Sequence, residues 1–167
     1  KVTREDAIIL FKDIKSLQVD RASGKLLDEI EFGSYDVIKA ARDPEQSEAI
    51  LKNRARVTSL PDTLLVYHVT KAGQESWIFP IWGTGLWSTL YGFISLESDL
   101  NTVKTITYDQ HKETAGLGGE VDNPKWKAQW PGKRMDITGG VPALKVVKKG
   151  LVKDSVHEVD GISGATI

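Results

Sequence analysis

The chain of 167 residues contains no cysteine. That excludes disulfides, thiolate nucleophiles, zinc fingers and cysteine-held iron–sulfur clusters within it. An oxidising compartment is compatible with this but not required. Histidine is scarce: His68, His111 and His157 are scattered, and no pair stands at metal-ligand spacing, so no metal site is expected. Ser155 and Ser163 lack a GxSxG setting, and carboxylate neighbours such as Asp28 and Glu29 read as a solvated face. No hydrolase machinery and no catalytic acid or base stand out. Charge of one sign is missing as well. Twenty-two basic and 23 acidic residues leave a net charge of -1, too little of a basic field to hold nucleic acid. No apolar run reaches the length of a membrane helix. The chain opens on Lys1 rather than methionine, so a segment trimmed from its front is expected.

What is present describes an ordinary folded domain. The hydrophobic share of 40% and charged share of 27% suit a globular protein long enough to bury a core. Residues 3–18, TREDAIILFKDIKSLQ, predict a helix, with Thr3 as cap, acidic residues in the first turn and an apolar stripe. A charged stretch, 18–34, reads as turn and edge structure. DPEQSEAILKN predicts a short helix, with Asp43 as cap and Pro44 at the first helical position. The texture then changes. LLVYHVT (64–70), SWIFPIWG (76–83), TLYGFISLE (89–97) and TVKTITYD (102–109) are β-branched and aromatic, parted by short turn-like pieces. They predict an antiparallel meander, in which Pro80 suggests an edge or bulged strand. Residues 110–140 are loop-rich, with a short helix at NPKWKAQW, and PALKVVKKG and SVHEVD predict two more strands. The fold class is therefore α+β, an antiparallel sheet meander with flanking helices. Residues 1–60 form an N-terminal helical and irregular segment packed on the domain. The functional region is 61–167.

Three stretches are unusual. In WGTGLWSTLYGF (82–93), Gly83 and Gly85 bracket Thr84, and Leu86 and Trp87 follow. Paired glycines before a strand let the backbone approach a flat ligand; a plain hairpin turn is the alternative. No helix follows, so this is not a dinucleotide fingerprint. In HKETAGLGGEVDNPKWKAQW (111–130), Gly116, Gly118 and Gly119 sit beside Glu113, Thr114 and Leu117. Such a loop can offer backbone N–H groups and a hydroxyl to an anion or a polar ring edge, or simply start a helix. The chain closes on DGISGATI, Asp160 to Ile167, and Thr166 has small neighbours, Gly164 and Ala165.

Taken in order, DGISGAT, HKETAGLGGEVDNPKW and GTGLWSTLYGF resemble the blocks of a known family. The chain is similar to the FMN-binding domain of the C subunit of the sodium-translocating NADH:quinone reductase, with the G subunit of the Rnf electron-transport complex as close relative. The resemblance covers about 82 to 167. It implies FMN bound covalently through a phosphoester to Thr166, installed from FAD by a separate flavin transferase that recognises Asp160, Ser163, Gly164 and Ala165. It implies a flavin lined by Glu113, Thr114, Gly116, Leu117 and Gly118, with Gly83, Gly85, Leu86 and Trp87 as a second wall. Trp126 and Trp130, four apart, read as packing. The implied protein is an electron carrier whose partners are other subunits of a membrane redox complex. An N-terminal membrane helix, not in this sequence, would anchor it in the inner membrane with the soluble domain on the periplasmic face. Any enzyme label, NADH:quinone reductase, belongs to the complex. Ala115 stands where the family has proline, and the family runs a little past the motif. Two other readings stay open: a noncovalent flavin or small-ligand module, and a structural module whose glycine loops are mere turns.

Overall fold

The structure is a computed structural model of the chain, and residues 11–162 are described. It divides into two compact units. One comprises 11–51 and Thr58–Phe79; the other comprises Lys52–Val57 and 80–162.

In the first unit β1 (Ile14–Asp20) pairs antiparallel with both β2 (Leu26–Ile30) and β5 (Thr63–Lys71), and β5 pairs antiparallel with the front of β6 (Gln74–Thr84). The helix predicted over 3–18 is kept at Phe11 and breaks off in the turn of Lys12 and Asp13. Residues 14–18 are strand, and 3–10 lie outside the described residues. All seven residues of β1 have partners on β5, and such long-range pairing outweighs the local helical pattern. The helix expected after Asp43 is also displaced. Helix α1 (Val37–Arg42) ends there, and Asp36 is its true cap, accepting the N–H groups of Ile38 and Lys39 at 3.0 and 2.9 Å. Asp43 instead accepts the Glu45 N–H at 3.0 Å in a turn leading to β3 (Ser47–Ala49), which pairs with β4 (Ser59–Pro61). Val37, Ala40, Ala41, Leu65 and Val66 form this unit's core.

The second unit takes over β6 at Pro80. Pro80 lies past Ile78, where the register of β6 with β5 stops, so its missing N–H costs no bond in that register. Strand β6 as a whole is ordered between β5 and β7 (Thr89–Glu97), while Pro80 itself has no partner in the β5 register, as an edge-like position requires. Strand β7 pairs antiparallel with β8 (Val103–Gln110), completing the meander the sequence predicted. A 3-10 helix (Gly118–Asp122) leads into the short α2 (Pro124–Lys127), where Asn123 caps by accepting the Lys125 N–H at 2.9 Å. Strands β9 (Lys145–Val147) and β10 (Glu158–Asp160) form a parallel pair. Val159, with no exposed surface, is buried with Leu96, Val103, Ile106, Val121 and Trp130. No helix among the described residues is long and apolar enough to cross a membrane.

Candidate functional site

The second unit holds a cleft of about 230 Å³. Leu86 comes from the turn after β6, Leu90 from β7 and Tyr108 from β8; the loop after β8 supplies Glu113 and Gly118. Val121, Trp126 and Trp130 follow from the helical stretch, and Val146 and Ile162 close the wall. The lining is apolar apart from Glu113 and the polar tips of the aromatics. Trp126 meets Trp130 edge-on at 5.3 Å and Tyr108 at 6.4 Å. Burial pushes the Tyr108 hydroxyl above its ordinary range, which keeps it neutral.

Glu113 organises the mouth. Its Oε1 accepts the backbone N–H groups of Trp87 and Ser88 at 3.1 and 3.0 Å and the Ser88 hydroxyl at 3.3 Å. Burial pushes the carboxyl up, but the N–H groups of Trp87, Ser88 and Leu86 and the Ser88 hydroxyl outweigh it and hold Glu113 below its usual range. The flanking glycines make room for that carboxylate. A Cβ on Gly85 would stand 2.6 Å from Oε1, and one on Gly118 would stand 2.7 Å from Oε2. The loop is also closed at its ends. The Glu113 N–H reaches His111 Nδ1 at 3.3 Å, which leaves the proton on Nε2 to meet Asp122 at 2.7 Å.

The chain reaches the cleft again from β10. The Asp160 N–H donates to Gln129 Oε1 at 3.0 Å, its carbonyl accepts Trp126 Nε1–H at 2.7 Å, and its carboxylate accepts the Gly150 N–H at 2.7 Å. Two residues later Ile162 lines the cleft.

This arrangement has known counterparts. The family model for the FMN-binding domain matches residues 85–167. Among characterised relatives, the C subunit of the Na(+)-translocating NADH-quinone reductase of Vibrio parahaemolyticus is 44% identical over 156 residues, covering 89% of this chain and 60% of the relative. That of Pseudomonas aeruginosa is 44% identical, covering 93% and 65%. The crystal structure of Shewanella oneidensis NqrC superposes with a TM-score of 0.83 at 33% identity, covering 98% of this chain and 76% of that one. The chain belongs to the NqrC family, the C subunits of the Na(+)-translocating NADH-quinone reductase. It spans about 60% of the length of the Vibrio relative.

For an NqrC-family domain the fit to a flavin can be tested on the cleft itself. Its volume is below the ~300–1,000 Å³ of pockets that enclose a whole ligand, so it suits one flat part of a larger molecule. Apolar and aromatic walls suit a ring system. Trp130 Nε1–H is buried and has no partner among the described residues, an open donor at a cleft wall that complements the carbonyl and ring-nitrogen acceptors of a flavin.

The sequence-predicted residues divide accordingly. Glu113, Gly118 and Leu86 line the cleft, with Gly85 directly behind the Glu113 carboxylate. Leu117 and Trp87 belong to the same two loops and are exposed, Trp87 by 70%. Gly83 does not line the cleft. Its backbone lies against Ala55, whose carbonyl accepts the Thr84 N–H at 2.8 Å. Gly116 has open space around it at φ +77°, which marks a turn residue. Thr114 acts through its carbonyl, which accepts the N–H groups of Leu117 and Gly119. Ser163, Gly164, Ala165 and Thr166 lie outside the described residues. Sequence reasoning missed Tyr108, Val121, Val146 and Ile162 as wall residues, and it read Trp126 and Trp130 as packing alone. The four-residue spacing of the tryptophans was the one available signal.

Proposed function

We propose that this chain is a flavin carrier in which FMN is held covalently at Thr166 and its ring rests in the cleft. The observation that carries this is the position of Ile162. The DGISGAT segment starts from a fixed strand and enters the cleft wall four residues before Thr166. Attachment is a group transfer from FAD. The Thr166 hydroxyl attacks the phosphorus on the FMN side of the pyrophosphate, the Thr166 Oγ1–P bond forms, and AMP leaves with the bonding electrons. The hydroxyl proton passes to a base of a separate flavin transferase, since a threonine hydroxyl is a weak nucleophile unaided. Bound FMN supplies reversible electron carriage. The chain's own residues bind and orient. Tyr108, Trp126 and Leu86 wall the ring, Trp130 offers a donor, and Glu113 fixes the Leu86–Ser88 turn. A tether keeps the carrier from dissociating between turnovers through high effective concentration.

On the same reading the domain works in a Na+-translocating NADH:quinone reductase complex, beside other subunits and anchored to the inner membrane with this domain on the outer face. The names of its relatives support this complex over the Rnf one. Intact mass after coexpression with a flavin transferase tests the attachment. A gain of one FMN phosphoester, absent in Thr166→Ala, is expected. No gain, together with retention of dialysable flavin, would replace the tether with noncovalent binding.

A further inference from the structure

We propose that Trp126 is a positioning residue that joins the cleft to the root of the attachment segment, with Gln129 as its companion. This rests on the covalent reading above and adds to it how the segment is presented.

The observations concern one residue, Asp160. Its neighbours in β10 pair with β9 on one side. Its own N–H and C=O are both taken by side chains of another segment, Gln129 Oε1 at 3.0 Å and Trp126 Nε1–H at 2.7 Å. Two side chains three residues apart thus do the work of a third strand for one residue. The Asp160 carboxylate accepts the Gly150 N–H at 2.7 Å, at a turn closed by the Leu151 N–H on the Lys148 carbonyl. Gly161 then donates its N–H to the Val147 carbonyl at 2.6 Å. The first residue of the DGISGAT motif is therefore fixed on three sides by its own domain. One oxygen of its carboxylate is thereby engaged within the fold.

Fixing that root has a consequence for reach. The four residues from Ile162 to Thr166 span at most about 14 Å when extended. If Asp160 to Ile162 came loose from Gln129 and Trp126, the swinging length would grow and the effective concentration of a tethered ring at the cleft would fall. Trp126 has a second contact with this geometry, because its ring lines the same cleft. A flat ligand packed on that indole restrains the side chain whose N–H holds the root. Cleft occupancy and segment presentation are coupled through one residue.

The experiment measures flavin incorporation by the transferase in three chains: unaltered, Trp126→Phe, which keeps an aromatic wall and removes the N–H, and Gln129→Leu, which lies outside the cleft lining. Initial rates are split into kcat and KM, and amide exchange is followed at Asp160 and Val159. Each variant is expected to lose about fivefold in kcat/KM, the worth of one hydrogen bond, carried by KM. Exchange at Asp160 should quicken in Gln129→Leu while Val159 stays protected. Failure of the unaltered chain to gain flavin would sink the covalent reading and this inference with it. Normal labelling of the unaltered chain and of both variants would overturn the inference alone. Slow labelling accompanied by lost protection at Val159 would also overturn it, by showing general unfolding.

Discussion

The Glu113 carboxylate accepts the backbone N–H of Ser88 at 3.0 Å, joining the turn before β7 to the loop after β8. Side chain and turn are mutually dependent. The turn's N–H groups have Glu113 as acceptor, and Glu113 has those N–H groups as its stabilising partners. Glu113→Gln is expected to cost about 1 kcal/mol, because solvent screening at a part-exposed site brings a charge-assisted bond down to the worth of an ordinary one. The folded carboxyl titrates below its unfolded value. Its contribution is therefore full above about pH 4.3 and fades as pH falls through the lower folded value. Thermal unfolding between about pH 2.5 and 6 should show a steeper acid limb for the unaltered chain than for Glu113→Gln.

Gly85 and Gly118 should respond differently to the same test. The three nearest atoms to a Cβ on Gly118 all belong to Glu113, whereas a Cβ on Gly85 also meets Leu90 Cδ1 at 2.5 Å. Each glycine-to-alanine change is expected to cost about 1–3 kcal/mol through overpacking. In a Glu113→Gly background, which removes the Glu113 Cβ at 2.9 Å as well as the carboxylate, the cost at Gly118 should largely disappear and that at Gly85 should persist in part. Denaturant melts in a double-mutant cycle read this directly. Equal, undiminished costs in both backgrounds would show that the glycines answer to something other than the carboxylate.

His157 gives the opposite pH dependence. Its Nε2 and Nδ1 each stand 2.7 Å from a carboxylate, Asp136 and Asp154 respectively. The bond to Asp136, then that to Asp154, raises its pKa. A raised folded value contributes stability that is full below the unfolded value of about 6.5 and lost as pH rises through the folded one. His157→Gln should flatten the decline in unfolding midpoint between about pH 6 and 9. An unchanged slope in that variant would place the alkaline loss elsewhere.

Trp130→Phe separates folding from binding. Its buried indole N–H has no partner among the described residues. Removing that group relieves a desolvation cost of about 1–3 kcal/mol while giving up packing of similar size. The unliganded midpoint should therefore change little. Flavin retained in the cleft should be held less well, seen as greater solvent exposure of flavin fluorescence in the loaded protein. A large loss of unliganded stability would show that the ring's packing dominates and that the N–H is incidental.

Several of these contacts had a sequence signal and several had none. Strands β5 to β8 were legible because β-branched and aromatic residues alternate between turn residues over short, regular spans. The short α2 was expected within NPKWKAQW, and it forms at Pro124–Lys127. The glycine pairs were visible, but the side chain that two of them make room for was not. Gly85 and Gly118 admit the Glu113 carboxylate, and the contact from Glu113 to Ser88, 25 residues apart, leaves no local pattern. The stretch 14–18 kept a helix-like pattern while folding as a strand, because its pairing partner β5 begins more than 40 residues later. Tyr108 and Val146 are ordinary strand residues in sequence, and they became wall residues only through the packing around them.

By itself the sequence determined the meander, the absence of thiol chemistry, and the order of the three glycine-bearing blocks. Those properties follow from residue type and short-range spacing. Only the tertiary structure decided that Glu113 fills the gap between two glycines. It likewise decided that Trp126 holds the Asp160 carbonyl across 34 residues and that Ile162 ends in the wall of a cleft. Such contacts depend on which distant segments meet when apolar surface is buried, and that outcome belongs to the whole chain at once.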